Sequence, residues 1–297
     1  MNRAERTDSF TNQPDMKTDM GLDMETDMET GGAISPSCPD GAFTQEIRAY
    51  WTSRADGYSA VNRDELAGDQ ARRWSEALLG PILACPAARG RRKEELRVLD
   101  AGTGPGFFAI ILAAEGLQVS AADMTDEMLA EARRNAGALA ERIDWQRTDV
   151  QQTAYAEESF DAIVTRNVTW NLTEPEKAYR EWHRILRKGG VLINYDANWY
   201  RYLADPSLRS EFLQDRENTA EAGVEDFYEG TDEARMEAIA RRNPLTYEQR
   251  PAWDREVCEA IGFASVRTDE DAWRRVLSEA EKINYASTPV FEIICEK

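Results

Sequence analysis

Two acidic residues and the glycines between them are the parts of this chain best suited to chemistry. Asp100 is followed by Gly102, Gly104 and Gly106, and Asp123 comes one helix and one strand later. Glycines at that spacing let the backbone turn tightly against a ligand. An acid at the end of a second strand can accept the hydroxyls of a ribose diol, so the pattern describes a nucleotide-cofactor site. The positioning elements follow from the run Val98 to Ala136. Arg97, Val98 and Leu99 form a short strand that ends at Asp100, Phe107 to Ala114 forms a helix, and Gly116 stops it. Leu117, Val119 and Ala121 alternate as a second strand that delivers Asp123 to the carboxyl edge of the sheet, where open α/β folds bind ligands.

The spacing GxGxG differs from the GxGxxG of a dinucleotide loop, whose helix N-terminus faces a pyrophosphate. Together with FDAIVTRN and LRKGGVLIN further on, the run resembles the class I S-adenosylmethionine (SAM)-dependent methyltransferase family, of the type acting on small molecules. That resemblance implies a Rossmann-like, doubly wound seven-stranded sheet, mostly parallel with an antiparallel last strand, and SAM as cofactor. It places Asp100, Gly102, Thr103 and Gly104 at the methionine end and Asp123 with Met124 at the ribose. Asp149, in the sequence TDV, matches the acid that accepts the adenine amino group, with Val150 along the ring. Tyr58, in IRAYWTSRADGYS, falls in the segment that covers the methionine end, and Asn167 at the edge after Phe160–Thr165 completes the cofactor set. Two other readings stay open: a regulatory protein that keeps the SAM pocket without turnover, and an NAD-dependent oxidoreductase.

A net charge of −19 repels polyanions, which argues against a nucleic-acid substrate and for a small-molecule methyl acceptor. The residues after Asn167 (Val168, Thr169, Trp170) also lack the proline pair of an NPPY nucleic-acid motif. No apolar run has the length of a membrane span and the first residues lack a secretion signal, so a cytoplasmic protein, monomer or homodimer, with no membrane partner is expected. Cys38, Cys85, Cys258 and Cys295 have no CxxC spacing, so no metal site is expected and no disulfide framework is indicated. His183 lies within a helix on the flank of the sheet and is read as structural, leaving no histidine base.

Three further segments surround the core. Residues 1 to 41 repeat a tetrapeptide with Met16, Met20, Met24 and Met28 among acids, the composition of a disordered acidic tail. Residues 42–93 read as N-terminal helices, one after a Thr44 cap and a second opened by Asn62 and Glu65. A helix capped by Thr173 and Glu176 runs to Arg187, stopped by Gly189 and Gly190, and leads to a strand at Val191–Asn194. Residues 197–244 form a helical insertion over the active-site edge, read as a lid. At its root, Trp170, Asn198 and Trp199, with Trp51 from the N-terminal helix, are candidates for holding a cationic or amine-bearing acceptor, and Tyr195 and Asp196 for orienting or deprotonating it.

Overall fold

Leu99, Ala122, Ile163 and Leu192 sit in runs of apolar residues without polar alternation, as strands covered on both faces must. A computed structural model describes residues 41–297 and assembles these runs into one sheet of seven strands. They are β1 (Arg97–Ala101), β2 (Gln118–Asp123), β3 (Ile143–Arg147), β4 (Phe160–Arg166), β5 (Leu186–Asp196), β6 (Ser265–Asp269) and β7 (Phe291–Glu296). Their order across the sheet is β3-β2-β1-β4-β5-β7-β6. β1 to β5 run parallel, whereas β7 is antiparallel to both β5 and β6. Reversal of strand order at β1 creates the crevice in which such sheets bind ligands.

Before the sheet come α1 (Gly41–Ala67) and α2 (Gln70–Ala84); α3 (Phe107–Ala114), α4 (Asp126–Ala136) and α5 (Pro175–Ile185) connect its parallel strands. The insertion after β5 holds α6 (Pro206–Ala222) and α7 (Glu233–Ala240), and α8 (Ala252–Ile261), α9 (Trp273–Val276) and α10 (Glu279–Asn284) lie around the last strands. Trp74 and Leu78 of α2, with Phe107 and Phe108 of α3, cover one face against Val98, Val164 and Ile193. Tyr179 and Trp182 of α5, with Cys258 of α8, cover the other against Leu99, Ile163 and Leu192. No helix among the described residues is long and apolar enough to cross a membrane.

Three boundaries differ from the sequence reading, each for a local reason. α1 is continuous to Ala67, so Asn62 and Glu65 open no second helix. They are buried at 1% and 5% exposure, Asn62 donating to Glu65 at 2.9 Å, because Glu65 is needed inside as the partner of Arg166. α5 starts at Pro175, whose fixed φ suits a first helical position. Thr173 forms no capping box and instead donates to Gln151 at 3.3 Å. Gly189 and Gly190 lie inside β5 rather than ending a helix, since a Cβ on Gly190 would stand 2.9 Å from the Asp161 carbonyl of the adjoining strand. The reading of residues 1 to 41 as a tail falls outside the described residues except at Gly41, which belongs to α1.

A fully buried polar network ties the far side of the sheet together. Arg250 donates to Asp254 at 2.9 and 2.8 Å, to Asp196 at the end of β5 at 2.9 Å, and to Thr169 after β4. Tyr179 of α5 donates to Asp254 at 2.7 Å and accepts from Asn194 at 2.9 Å. Arg250→Met would strand two buried carboxylates, so stability should fall by about 3–5 kcal/mol. Urea denaturation monitored by tryptophan fluorescence measures this, and a loss under about 1 kcal/mol would show that the carboxylates find compensation elsewhere.

Candidate functional site

The carboxyl ends of β1, β2 and β4, and the turn after β3, open into one cleft with ≈ 980 Å³ of empty space including its mouth. Its floor is the glycine loop. Gly102 and Thr103 donate their backbone N–H groups to the Ala122 carbonyl at 2.8 and 2.9 Å, latching the loop onto β2. Gly102 has φ +75°, and a Cβ there would meet the Val168 side chain at 2.4 Å. Gly104, at φ +52°, faces only the Tyr58 ring, 3.5 Å from its would-be Cβ.

Three carboxylates stand along the cleft. Thr103 Oγ1 and the Ala109 N–H both donate to Oδ2 of Asp100, at 2.6 and 2.9 Å, which leaves Oδ1 without a protein donor. Burial pushes the Asp100 carboxyl up to about 6, against the pull of those two hydrogen bonds. Asp123 accepts from the Gly104 N–H at 3.0 Å on one oxygen, and from the N–H and hydroxyl of Thr125 at 2.9 Å on the other. Burial raises its carboxyl too. Asp149 accepts from the Gln151 N–H at 2.9 Å, and Val150 beside it is fixed by Trp182, whose indole N–H donates to the Val150 carbonyl at 3.0 Å. Across the cleft Arg166 forms a bidentate pair with Glu65 at 2.7 and 2.9 Å, under which lie the rings of Trp74, Phe107 and Phe108.

All ten cofactor-side positions read from the sequence line this cleft, as does Trp51. The acceptor-side candidates divide. Trp199 lines a smaller adjoining cavity, whereas Trp170 and Asn198 line neither. Asn198 donates to the Arg250 carbonyl at 2.9 Å and accepts its N–H at 3.1 Å, while Trp170 donates to the Asn167 carbonyl at 3.0 Å and stacks on Tyr200. Tyr195 and Asp196 are corrections. Tyr195 is fully buried between Trp74 and Phe108 and donates to Glu292, because the alternation of β5 turns it under α2. Asp196 is occupied by Arg250, Thr169 and the Trp170 and Ala197 N–H groups. His183 packs edge-on to Phe263, far along α5 from the cleft-lining positions, and burial lowers its imidazole below the ordinary value. The sequence places Arg166 on the carboxyl edge after a buried strand but gives no sign of its pairing with Glu65, and Glu281 and Tyr285 of the smaller cavity carry no local signal.

Residues 99–194 match the family model described as a methyltransferase domain. Among similar sequences, the ubiquinone/menaquinone biosynthesis C-methyltransferase of Cereibacter sphaeroides (strain ATCC 17029) is 29% identical over 52% of this chain and 60% of its own length. The demethylmenaquinone methyltransferase of Renibacterium salmoninarum is 31% identical over 50% and 57%. The chain therefore spans about three-fifths of the length of these relatives. Of solved structures, a geranyl diphosphate methyltransferase in complex with GPP and sinefungin aligns with TM-score 0.54 at 13% identity, covering 86% of this chain and 99% of that one. A Methanococcus maripaludis protein inferred to be a SAM-dependent methyltransferase aligns with TM-score 0.52 at 20% identity, covering 83% and 93%. At those identities the likeness is one of fold.

The two loop glycines should respond differently to substitution. Both alanine variants carry a left-handed backbone, a penalty of roughly 1–2 kcal/mol, and Gly102→Ala adds overpacking against Val168 of about 1–3 kcal/mol. Chemical denaturation should rank Gly102→Ala as the less stable of the two, with Val168→Ala recovering part of its loss. Equal losses, or no rescue, would remove the steric explanation.

Proposed function

We propose that this chain, which carries a methyltransferase domain of the class I fold served by SAM, transfers a methyl group by SN2 displacement to a small-molecule acceptor. The observation that carries the reading is the alignment of Asp100, Asp123 and Asp149 along one cleft, in the order β1, β2, β3. The donor set suits the cofactor. Oδ1 of Asp100 is open to an ammonium, Asp123 would accept ribose hydroxyls through the lone pairs that Gly104 and Thr125 leave free, and Asp149 with Val150 forms an acid and an apolar shelf for a base. Gly104 keeps the space beneath Tyr58 clear for the ligand backbone.

SAM, when bound, supplies a methyl group on a sulfonium that is its own leaving group. The protein adds orientation and exclusion of water, which together account for several kcal/mol in well-aligned reactions. Asp100 and the glycine loop hold one end of the cofactor and Asp123 its middle, while Trp51 and Tyr58 of α1 roof the cleft. The charge of −19 keeps polyanions away, which favours a small acceptor over nucleic acid. No residue between 204 and 250 lines either cavity, so the insertion acts on the site indirectly. Met236 and Ile239 of α7 pack on Phe43, Ile47 and Tyr50, which hold α1 over the cleft.

Asp123→Ala should weaken SAM binding by about 1.5–3 kcal/mol for each hydrogen bond lost, read by calorimetric titration of the folded variant. An unchanged dissociation constant would sink the ribose assignment.

Affinity should also depend on pH through Asp100. Below pH 6 its carboxyl is protonated in the free protein, so pairing with the cofactor ammonium must expel a proton. SAM affinity should therefore rise with pH, by at most about tenfold per unit, and level off above about 6. The sign for stability is opposite: a raised carboxyl makes the unliganded fold lose stability as pH rises through that value. Titrations at pH 5, 6 and 7 that show flat affinity would assign the ammonium another partner.

A further inference from the structure

Beyond β4, on the side of the cleft away from Asp149, lies a second cavity with ≈ 440 Å³ of empty space including its mouth. Tyr58, Arg166 and Asn167 line both spaces, so the two adjoin where Asp100 and the glycine loop stand. Parts distant in sequence build its walls: Glu65 of α1, Trp74 of α2, Trp199 after β5, and Glu281 and Tyr285 at α10. Its electrostatics are unbalanced. Arg166 and Glu65 neutralise each other, leaving the Glu281 carboxylate unpaired by any cation in the wall. Gln70 Nε2, the Ser278 N–H and the Ser278 hydroxyl all donate to Oε2 of Glu281, at 2.6, 2.7 and 2.8 Å, and no donor reaches Oε1. Three buried polar atoms of residues lining this cavity have no partner, the indole N–H groups of Trp74 and Trp199 and the Oδ1 of Asn167. Buried polar groups are rarely left unpaired unless a ligand or water meets them. Trp199 and Tyr285 meet edge to face at 5.1 Å, presenting ring surface beside the carboxylate.

Resting on the reading of the main cleft as the SAM site, we infer that this second cavity is the methyl-acceptor site and selects a compact amine. Glu281 Oε1 and Asn167 Oδ1 accept from its N–H groups, and the Trp199 and Tyr285 rings enclose its carbon framework. Ring faces beside a carboxylate favour a cationic nitrogen over a neutral oxygen of the same shape. Methyl transfer there balances simply. The amine binds as its ammonium and Glu281 Oε1 takes one N–H proton to free the lone pair. That pair forms the N–C bond as the methyl–sulfur bond breaks, and the positive charge passes from sulfur to the methylated nitrogen, which leaves as an ammonium.

The test uses the full chain saturated with S-adenosylhomocysteine and titrates two probes of one shape, benzylamine and benzyl alcohol. Benzylamine should bind saturably and about tenfold more tightly than the alcohol; Glu281→Gln should abolish that preference while leaving the S-adenosylhomocysteine dissociation constant within about threefold. Trp199→Phe, which keeps a ring but removes the N–H, should weaken binding of an alkoxy-substituted benzylamine without touching the cofactor. No benzylamine binding, equal affinity for the two probes, or a preference that survives in Glu281→Gln would overturn the assignment. So would a tenfold loss of S-adenosylhomocysteine affinity in Glu281→Gln, since the cavity would then hold the cofactor's own tail. Failure of the wild type to bind S-adenosylhomocysteine at all is a separate result, and strikes at the cleft reading instead.

Discussion

The bidentate pair between Arg166 and Glu65 is the constraint on which the site depends. It joins the last residue of β4 to the last turn of the longest described helix, and both side chains are largely buried, at 12% and 6% exposure. A guanidinium desolvated to this degree needs a carboxylate in good geometry, or its burial becomes a penalty of several kcal/mol. The three rings packed against it make the geometry nearly immovable, and the same charge pushes the arginine's proton affinity above its ordinary value. With Glu65 fixed, α1 can lie only across the carboxyl edge of the sheet, which puts Trp51 and Tyr58 above the glycine loop. The pair therefore decides where the roof of the cleft sits, and it also forms the partition between the cleft and the smaller cavity.

Strand order then distributes chemistry along that roofed groove. β2 and β3 lie on one side of β1 and β4 and β5 on the other, so the acids at the ends of β2 and β3 extend the groove in one direction only. Everything on the opposite side is available to a second reactant. The left-handed backbones at Gly102 and Asn167, at φ +75° and +58°, mark the point where the two halves meet. Glycine adopts such a backbone without strain, whereas Asn167 is held in it by the β5 carbonyl of Tyr195, which accepts from the Asn167 N–H at 2.8 Å.

Legibility in the sequence tracked the range of the interactions. From Val98 to Ala136 each decision is local: an apolar strand, glycines at positive φ, a helix closed at Gly116, an acid at a strand end. The observed β1, α3 and β2 lie within a residue of the expected ones. Errors came where a polar residue had two possible partners. Asn62 and Glu65 carry a helix-start pattern, but Glu65 is claimed by Arg166, 101 residues away. Tyr195 and Asp196 carried a plausible catalytic pattern at the end of β5, yet the pleat and the Arg250 network enclose both. The smaller cavity was invisible for the same reason, since Glu281 and Tyr285 reach it only after the chain has completed β6 and turned back.

The insertion after β5 gains its meaning from this arrangement rather than from contact with a ligand. It supplies Trp199 at its root and otherwise meets the site through α1, by way of Met236, Ile239 and the Trp170 ring stacked on Tyr200. Moving the insertion outward would expose that apolar cluster and loosen the N-terminal half of α1, while the Arg166–Glu65 pair kept the C-terminal half in place. The insertion is thereby coupled to the roof near Trp51 rather than to the carboxylates beneath it.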